Sequence, residues 1–260
     1  MRIRFLAPHR AKIRLLRRIN RLRNRRNVHL LHIGKTGGTA VKAAVRQSDA
    51  NGSLLIHPHE VTLRDIAPGD DVIFFVRNPV DRFVSGFFSR KRQGQPGHFV
   101  PWSRAERAAF QQFRTPNALA TALEHESERR RDAARAAMAS IQHVRSSYWD
   151  WFIDEEYLAS RLDDILFIGQ QESLASDFET LKAVMNWPVG LALPRDPRTA
   201  HQSPSGEDRA LSERGIANLT RWYKDDYRFL KLCARWRIDT QHDAFAVAYA
   251  MPESISTGTP

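Results

Sequence analysis

The feature that most constrains this chain is a strand, loop and helix order that occurs twice within its first ninety residues. Val28 to Ile33 (VHLLHI) predicts a short buried strand, followed by the loop Gly34-Lys35-Thr36-Gly37-Gly38 and a helix from about Thr39 to Gln47. Ser53 to Ile56 is a second short apolar run, and Asp71 to Val76 (DVIFFV) gives the strongest strand signal, bounded by Gly69-Asp70 and Asn78-Pro79. Pro79 suits the first position of a helix with Asn78 as its cap, and Val80, Phe83, Val84, Phe87 and Phe88 share one apolar face. Consecutive units of this kind build a parallel sheet with right-handed crossovers. The expected fold class is therefore α/β, a central parallel sheet flanked by helices.

The rest of the chain extends that pattern. Gln93 to Trp102 (QGQPGHFVPW) reads as an irregular loop of the kind that closes over a site. Arg104 to about Trp151 is largely helical, with a fresh start at Pro116 after Thr115. Asp164 to Ile168 returns as a strand, and Glu172 to Asn186 follows as a helix that Trp187-Pro188 ends. Val189 to Asp208 is a Pro-rich loop, and Leu211 to Trp236 predicts one long amphipathic helix burying Leu211, Ile216, Leu219, Tyr223, Tyr227 and Leu230.

The loop after the first strand invites comparison with a nucleotide-binding P-loop. That motif requires G-x-x-x-x-G-K-[ST], and with Gly34 as its second glycine the first falls on His29, so it is absent. Here the glycines follow the lysine, and the turn that exposes backbone N–H groups lies at the helix entry. Those groups and the helix dipole suit a phosphate or sulfate, with the Thr36 and Thr39 hydroxyls and the Lys35 ammonium around it. The second unit adds Arg77 at the end of a strand and Ser85 about two turns into the next helix. These supply a guanidinium fork and a hydroxyl. Adjacent parallel strands bring their C-terminal ends to one edge, and two anion sites there suit a ligand with two separated phosphate-like groups.

His32-Ile33-Gly34-Lys35-Thr36-Gly37-Gly38-Thr39 resembles the 5′-phosphosulfate loop of carbohydrate sulfotransferases, and Arg77-Asn78-Pro79-Val80-Asp81-Arg82-Phe83-Val84-Ser85-Gly86 resembles their 3′-phosphate motif. Phe167 to Leu174 is similar to the family's last core strand and following helix, so the likeness covers most of Val28 to Cys233. It implies a P-loop NTPase-like sulfotransferase fold and the donor 3′-phosphoadenosine 5′-phosphosulfate (PAPS), whose product is adenosine 3′,5′-bisphosphate, with no metal. By this resemblance Lys35 contacts the bridging oxygen of the phosphosulfate. Thr36, Gly37, Gly38, Thr39 and Ala40 hold the 5′-phosphate, and Arg77 and Ser85 the 3′-phosphate. Gly34 departs from the family, which often has proline there; the change loosens the loop but removes no ligand.

Sulfuryl transfer to a hydroxyl also needs a base for the hydroxyl proton. His57-Pro58-His59-Glu60 offers imidazoles between the two cofactor motifs, with an unperturbed pKa near 6.5 suited to that role. The segment resembles the paired-histidine segment of heparan sulfate 2-O-sulfotransferases, including a following short helix, Val61 to Ile66. The catalytic set read from sequence is thus Lys35, His59 and His57, with Glu60 as a reserve base. His143, before Arg145, Ser146, Ser147, Tyr148 and Trp149, is a second candidate for the acceptor pocket, and Arg90, Lys91 and Arg92 for contact with an acidic glycan. His201-Gln202-Ser203 is assigned, by family analogy, to a late loop over the nucleotide.

Charge distribution narrows the partners. The net charge is +11, but eleven basic residues and no acidic ones fall between Met1 and Asn27, so the remainder is formally neutral. A general nucleic-acid surface is not expected of the domain. In the arm, Leu15, Ile19 and Leu22 recur at helical spacing among arginines, the pattern of a basic amphipathic helix able to lie on an anionic membrane. The division expected is 1–27 as this arm, 28–251 as the sulfotransferase domain and 252–260 as a flexible tail. Cys233 is the single cysteine, which excludes an internal disulfide framework. No apolar run approaches the roughly 18 residues of a membrane span, and a cytoplasmic location, peripheral to a membrane through the arm, is expected. Two other function classes fit parts of the sequence: an ATP- and magnesium-dependent kinase, and a binding module recruited by the basic arm.

Overall fold

A computed structural model describes residues 26–48, 50, 53–196 and 206–238. Most of the basic arm, the C-terminal tail and His201-Gln202-Ser203 lie outside the described residues. The chain divides into two compact units, one drawn from Met1–Phe75 and Trp151–Arg195, the other from Val76–Asp150 and Asp196–Pro260.

The sheet has strands β1 (Val28–Leu31), β2 (Leu55–Ile56), β3 (Asp71–Val76) and β4 (Ile165–Gln170) in the order β2-β1-β3-β4. β1 pairs in parallel with β2 and with β3, and Leu30 stands opposite Ile73. This is the expected central parallel sheet. Side chains alternate across it, so Leu30, Ile73 and Phe75 join Phe167 on one face beneath helices α1 (Gly38–Arg46) and α8 (Leu174–Val184). Val41 and Val45 of α1 and Phe178 and Leu181 of α8 complete that layer. Phe74 points the other way, against Phe152 of the short helix α6 (Trp149–Phe152), ring centres 4.7 Å apart. Burial on both faces explains why DVIFFV is one unbroken apolar run.

The second unit is helical. It holds α2 (Pro79–Lys91), α3 (Arg104–Gln112), α4 (Pro116–Ala122), α5 (Glu128–Ser140), α9 (Glu213–Trp222) and α10 (Lys224–Ile238); α7 (Glu155–Ala159) belongs with the sheet. α2 begins as the sequence dictates, with the Asn78 side chain accepting from the Val80 N–H and Pro79 at the first position. Its Phe83, Val84, Phe87 and Phe88 enter a core shared with Phe110, Phe113, Leu119, Met138 and Leu219. α3 packs on α5, and α9 on α4 and α2.

Three expectations are corrected. Leu211 to Trp236 is not one helix: α9 ends at Trp222, the Tyr223 backbone departs from helical values with φ −97° and ψ 24°, and α10 starts at Lys224. The Tyr223 hydroxyl donates to the Val144 carbonyl at 2.8 Å, and Asp225 and Asp226 supply the acidic first turn that favours a new helix start. Ile216, expected in the buried face, is 40% exposed. Arg90, Lys91 and Arg92 are not a free basic cluster. Arg90 is buried in a two-pronged pair with Glu106, at 2.7 and 2.9 Å. Lys91 donates to the Arg114 carbonyl, and Arg92 to the Gln95 carbonyl and to Glu207. Arg90 also donates to the carbonyls of Val100 and Pro101 while Trp102 Nε1 donates to the Arg90 carbonyl, so the Gln93 to Trp102 loop is tied down at its base.

Candidate functional site

The phosphate loop lies in the sheet unit and grows from the end of β1. Lys35 and Gly37 adopt left-handed backbone, with φ of 70° and 88°. For lysine that geometry is uncommon and marks a turn held by its surroundings. Gly37 caps α1 without a side-chain hydrogen bond, and the first turn of α1 carries no acidic residue. The positive end of the helix dipole therefore faces the loop, as an anion requires, while the Ala40 N–H is bonded to the Gly37 carbonyl at 3.0 Å. Gly38 is glycine for a packing reason: a Cβ there would meet His32 Cδ2 at 2.7 Å. Thr39 remains at the rim, its hydroxyl 3.5 Å from His32 Nε2, and Ala40 is buried beneath. The Thr36 hydroxyl differs from expectation, because it is buried and donates to the Ile33 carbonyl at 3.0 Å. It braces the loop from within.

The two histidines after β2 have separate fates. His59 Nδ1 lies 2.7 Å from the His32 carbonyl. A carbonyl only accepts, so Nδ1 carries the hydrogen and neutral His59 keeps its lone pair on Nε2. Its ring centre is 4.1 Å from that of His32, and its own carbonyl accepts from Trp151 Nε1 at 2.8 Å. Burial pushes the His59 imidazole below the usual histidine range. The His32 bond and Glu60 oppose the shift, and the positive charges of Lys42 and Lys35 add to it. His59 is thus held neutral near neutral pH, which is the form a base needs. His57 is only 2% exposed and turns inward: its Nε2 is 2.8 Å from His29 Nδ1, and His29 Nε2 is 3.3 Å from Asp70 Oδ2. Asn27 donates to the other Asp70 oxygen at 3.0 Å. Glu60 is exposed.

The Arg77 motif lies in the helical unit. Arg77 and Asn78 form the two-residue link after β3, and beside them opens a cavity of about 500 Å³ walled by Val80, Val84, Leu211 and Ile216, with Arg209 and Tyr227 on its lining. Ser85 is buried and does not line it. One step beyond Val84 turns a side chain by about 100° around the helix, enough to leave that wall. His143 stands in a left-handed turn, φ 68°, seated on Gly86 of α2, where a Cβ would meet its own Cβ at 3.2 Å. The segment after it is structural as well. Tyr148 is fully buried and Ser147 donates to Asp226.

Sequence reasoning missed His29, His32, Asp70 and Lys42. The signal was present in VHLLHI, where two imidazoles inside a buried strand demand partners. Among the described residues, no helix is long and apolar enough to cross a membrane. No curated protein matches the chain. The sulfotransferase family model matches residues 23–232, a stretch that takes in the phosphate loop, the histidine segment, the Arg77 motif and the last strand, and on that match the chain belongs to the sulfotransferase family and is a sulfotransferase.

Proposed function

We propose that this enzyme moves the sulfuryl group of PAPS to a hydroxyl of a carbohydrate, with His59 as the base. The observation that carries the reading is the bond from His59 Nδ1–H to the His32 carbonyl, which leaves Nε2 as a lone-pair acceptor one strand away from the phosphate loop. The glycine turn at the start of α1, whose cap Gly37 offers no side-chain acceptor, fits a phosphosulfate by its donor chemistry. When bound, the donor supplies a sulfuryl group whose bond to the 5′-phosphate oxygen breaks as the acceptor oxygen bonds to sulfur, releasing adenosine 3′,5′-bisphosphate.

This chain's residues would act around that exchange. His59 Nε2 takes the proton of the attacking hydroxyl, and Lys35 neutralises charge growing on the bridging oxygen. Backbone N–H groups of the Thr36 to Thr39 turn hold the 5′-phosphate, while Arg77 holds the 3′-phosphate; Ser85, buried and off the cavity wall, takes no part. His57 keeps the Pro58-His59 segment in place through the His29 and Asp70 chain. The carbohydrate acceptor rests on the likeness of His57-Pro58-His59 to heparan sulfate 2-O-sulfotransferases. Residues 28–251 are read as the catalytic domain, and 1–27 as an arm suited to an anionic membrane.

Calorimetric titration with adenosine 3′,5′-bisphosphate and with ADP, each with and without magnesium, tests the reading. Tight, metal-independent binding of the bisphosphate alone is expected, and transfer of labelled sulfate to glycan acceptors should follow. Binding of ADP only with magnesium would overturn it in favour of a kinase-like site.

A further inference from the structure

The link between β3 and α2 is held by side chains as well as by the backbone, where the Asn78 carbonyl accepts from the Arg82 N–H at 2.8 Å. Strand pairing ends at Val76, Arg77 and Asn78 belong to neither element, and Pro79 has no N–H to give. The Tyr148 hydroxyl serves both backbone groups of Arg77: the Arg77 N–H donates to it at 2.8 Å, and it donates to the Arg77 carbonyl at 2.7 Å. A phenol can do both at once, having one proton and free lone pairs. The next residue is held through its side chain, since the Tyr227 hydroxyl donates to Asn78 Oδ1 at 3.2 Å.

Tyr148 is itself locked. Its ring stacks on Phe229 with centres 5.0 Å apart, and the Arg82 guanidinium lies 4.8 Å from its centre. Asp226 accepts from the Tyr148 N–H at 2.8 Å and from the Ser147 hydroxyl, and faces Arg82 at 3.5 Å. Arg82 donates to the Ser146 carbonyl at 2.8 Å. Tyr148, Arg82 and Asp226 are each no more than 2% exposed. A buried ion pair of this kind is weak support for stability, since apolar replacements often serve as well, and its better-attested use is to fix one geometry.

We infer that Tyr148 is a positioning residue for anion recognition by Arg77: by closing both backbone hydrogen bonds of Arg77 it fixes the root of a long, flexible side chain, so that the guanidinium meets the donor's 3′-phosphate preorganised. This rests on the role proposed above for Arg77. A fork that binds two phosphate oxygens is sensitive to small misplacements, and a backbone tether sets its origin.

The test compares two ligands that differ only in the group Arg77 would contact. Wild type and Tyr148→Phe are titrated with adenosine 3′,5′-bisphosphate and with adenosine 5′-monophosphate. The variant should bind the bisphosphate about tenfold more weakly, equivalent to about 1.4 kcal/mol, and the monophosphate unchanged. An equal loss for both ligands, or no loss for either, overturns the inference, because a merely structural tyrosine has no preference for the 3′-phosphate. Wild type that binds the two nucleotides equally overturns the Arg77 reading itself, and does so before any substitution. If Tyr148→Phe does not fold, Ser147→Ala keeps the hydroxyl and removes one donor to Asp226. Its bisphosphate preference should fall about threefold, and an unchanged preference overturns the inference.

Discussion

The phosphate loop and the Arg77 turn are built differently. The phosphate loop is organised by its sequence neighbours: Gly37 caps the next helix, the Thr36 hydroxyl reaches back to Ile33, and Gly38 makes room for His32. The Arg77 turn is organised from far along the chain, by Tyr148 at a separation of 71 residues and Tyr227 at 149 from its neighbour Asn78. A turn of the first kind takes most of its partners from within a few residues, although a Cβ on Gly37 would meet Leu174 at 3.1 Å and the His32 carbonyl accepts from His59. One of the second kind depends on the helical core, so its geometry can be lost through substitutions remote from any ligand.

The largest effects should come from removing the groups themselves. His59→Ala should lower kcat by roughly a hundredfold or more while leaving the affinity for adenosine 3′,5′-bisphosphate intact, read by sulfate transfer and calorimetry side by side. An unchanged rate would move the base to His57 or Glu60. Lys35→Ala and Arg77→Ala should separate the two halves. Loss of a group that stabilises developing charge costs about a hundredfold or more in kcat, so Lys35→Ala should lower turnover with bisphosphate still bound, whereas Arg77→Ala should fail mainly in binding. If both variants lose binding equally, the division between a transfer half and an anchoring half does not hold.

A stability experiment probes how far the helical half depends on its core. Glu106 accepts from Arg90, from the Ser103 N–H and from the Gln142 N–H. Burial alone would raise its pKa, but these bonds and the Arg90 charge outweigh it and hold the carboxyl down to about 2. Because the folded value is depressed, its contribution is complete above the ordinary carboxylate range and is lost as pH falls through about 4 toward 2. Glu106→Ala strands the buried Arg90 guanidinium and should cost about 3–5 kcal/mol in urea unfolding near neutral pH. The difference from wild type should shrink at acid pH, and a pH-independent difference would mean that the pair matters through packing alone.

The smallest expected effect is a displacement on the pH axis. With His59 lowered by burial and by Lys42 and Lys35, the acid limb of kcat/KM should fall below the usual histidine value of about 6.5. Activity is lost as the base protonates, and Lys42→Gln should move that limb upward. A limb at or above 6.5 in wild type would remove His59 from the role.

Much of the fold was legible because its signals are local. Asp71–Val76 is the strand that its apolar run announces, Asn78 and Pro79 start α2, and Thr115 with Pro116 starts α4 through a hydroxyl accepting from Ala118. Caps and periodicities act within four residues, so they are written in the sequence next to the element they control. The break at Tyr223 was not legible, because Leu219, Tyr223 and Tyr227 keep helical spacing across it, and the partner of the Tyr223 hydroxyl, the Val144 carbonyl, lies 79 residues away. The two histidines of His57-Pro58-His59 also read alike. Only the partners differ, and His29 with Asp70 draws one ring inward while His32 leaves the other with its Nε2 lone pair.

Legible from short-range signals alone were the succession of the strands, the glycine turn at the head of α1 and the starts of α2 and α4, since each rests on backbone sterics, capping or side-chain type nearby. The tertiary structure alone decided that Arg90 serves Glu106, that the Thr36 hydroxyl faces inward, and that Tyr148 tethers Arg77. Those are choices of partner. A buried donor or acceptor must find one, and which one it finds depends on residues that packing brings near from elsewhere in the chain.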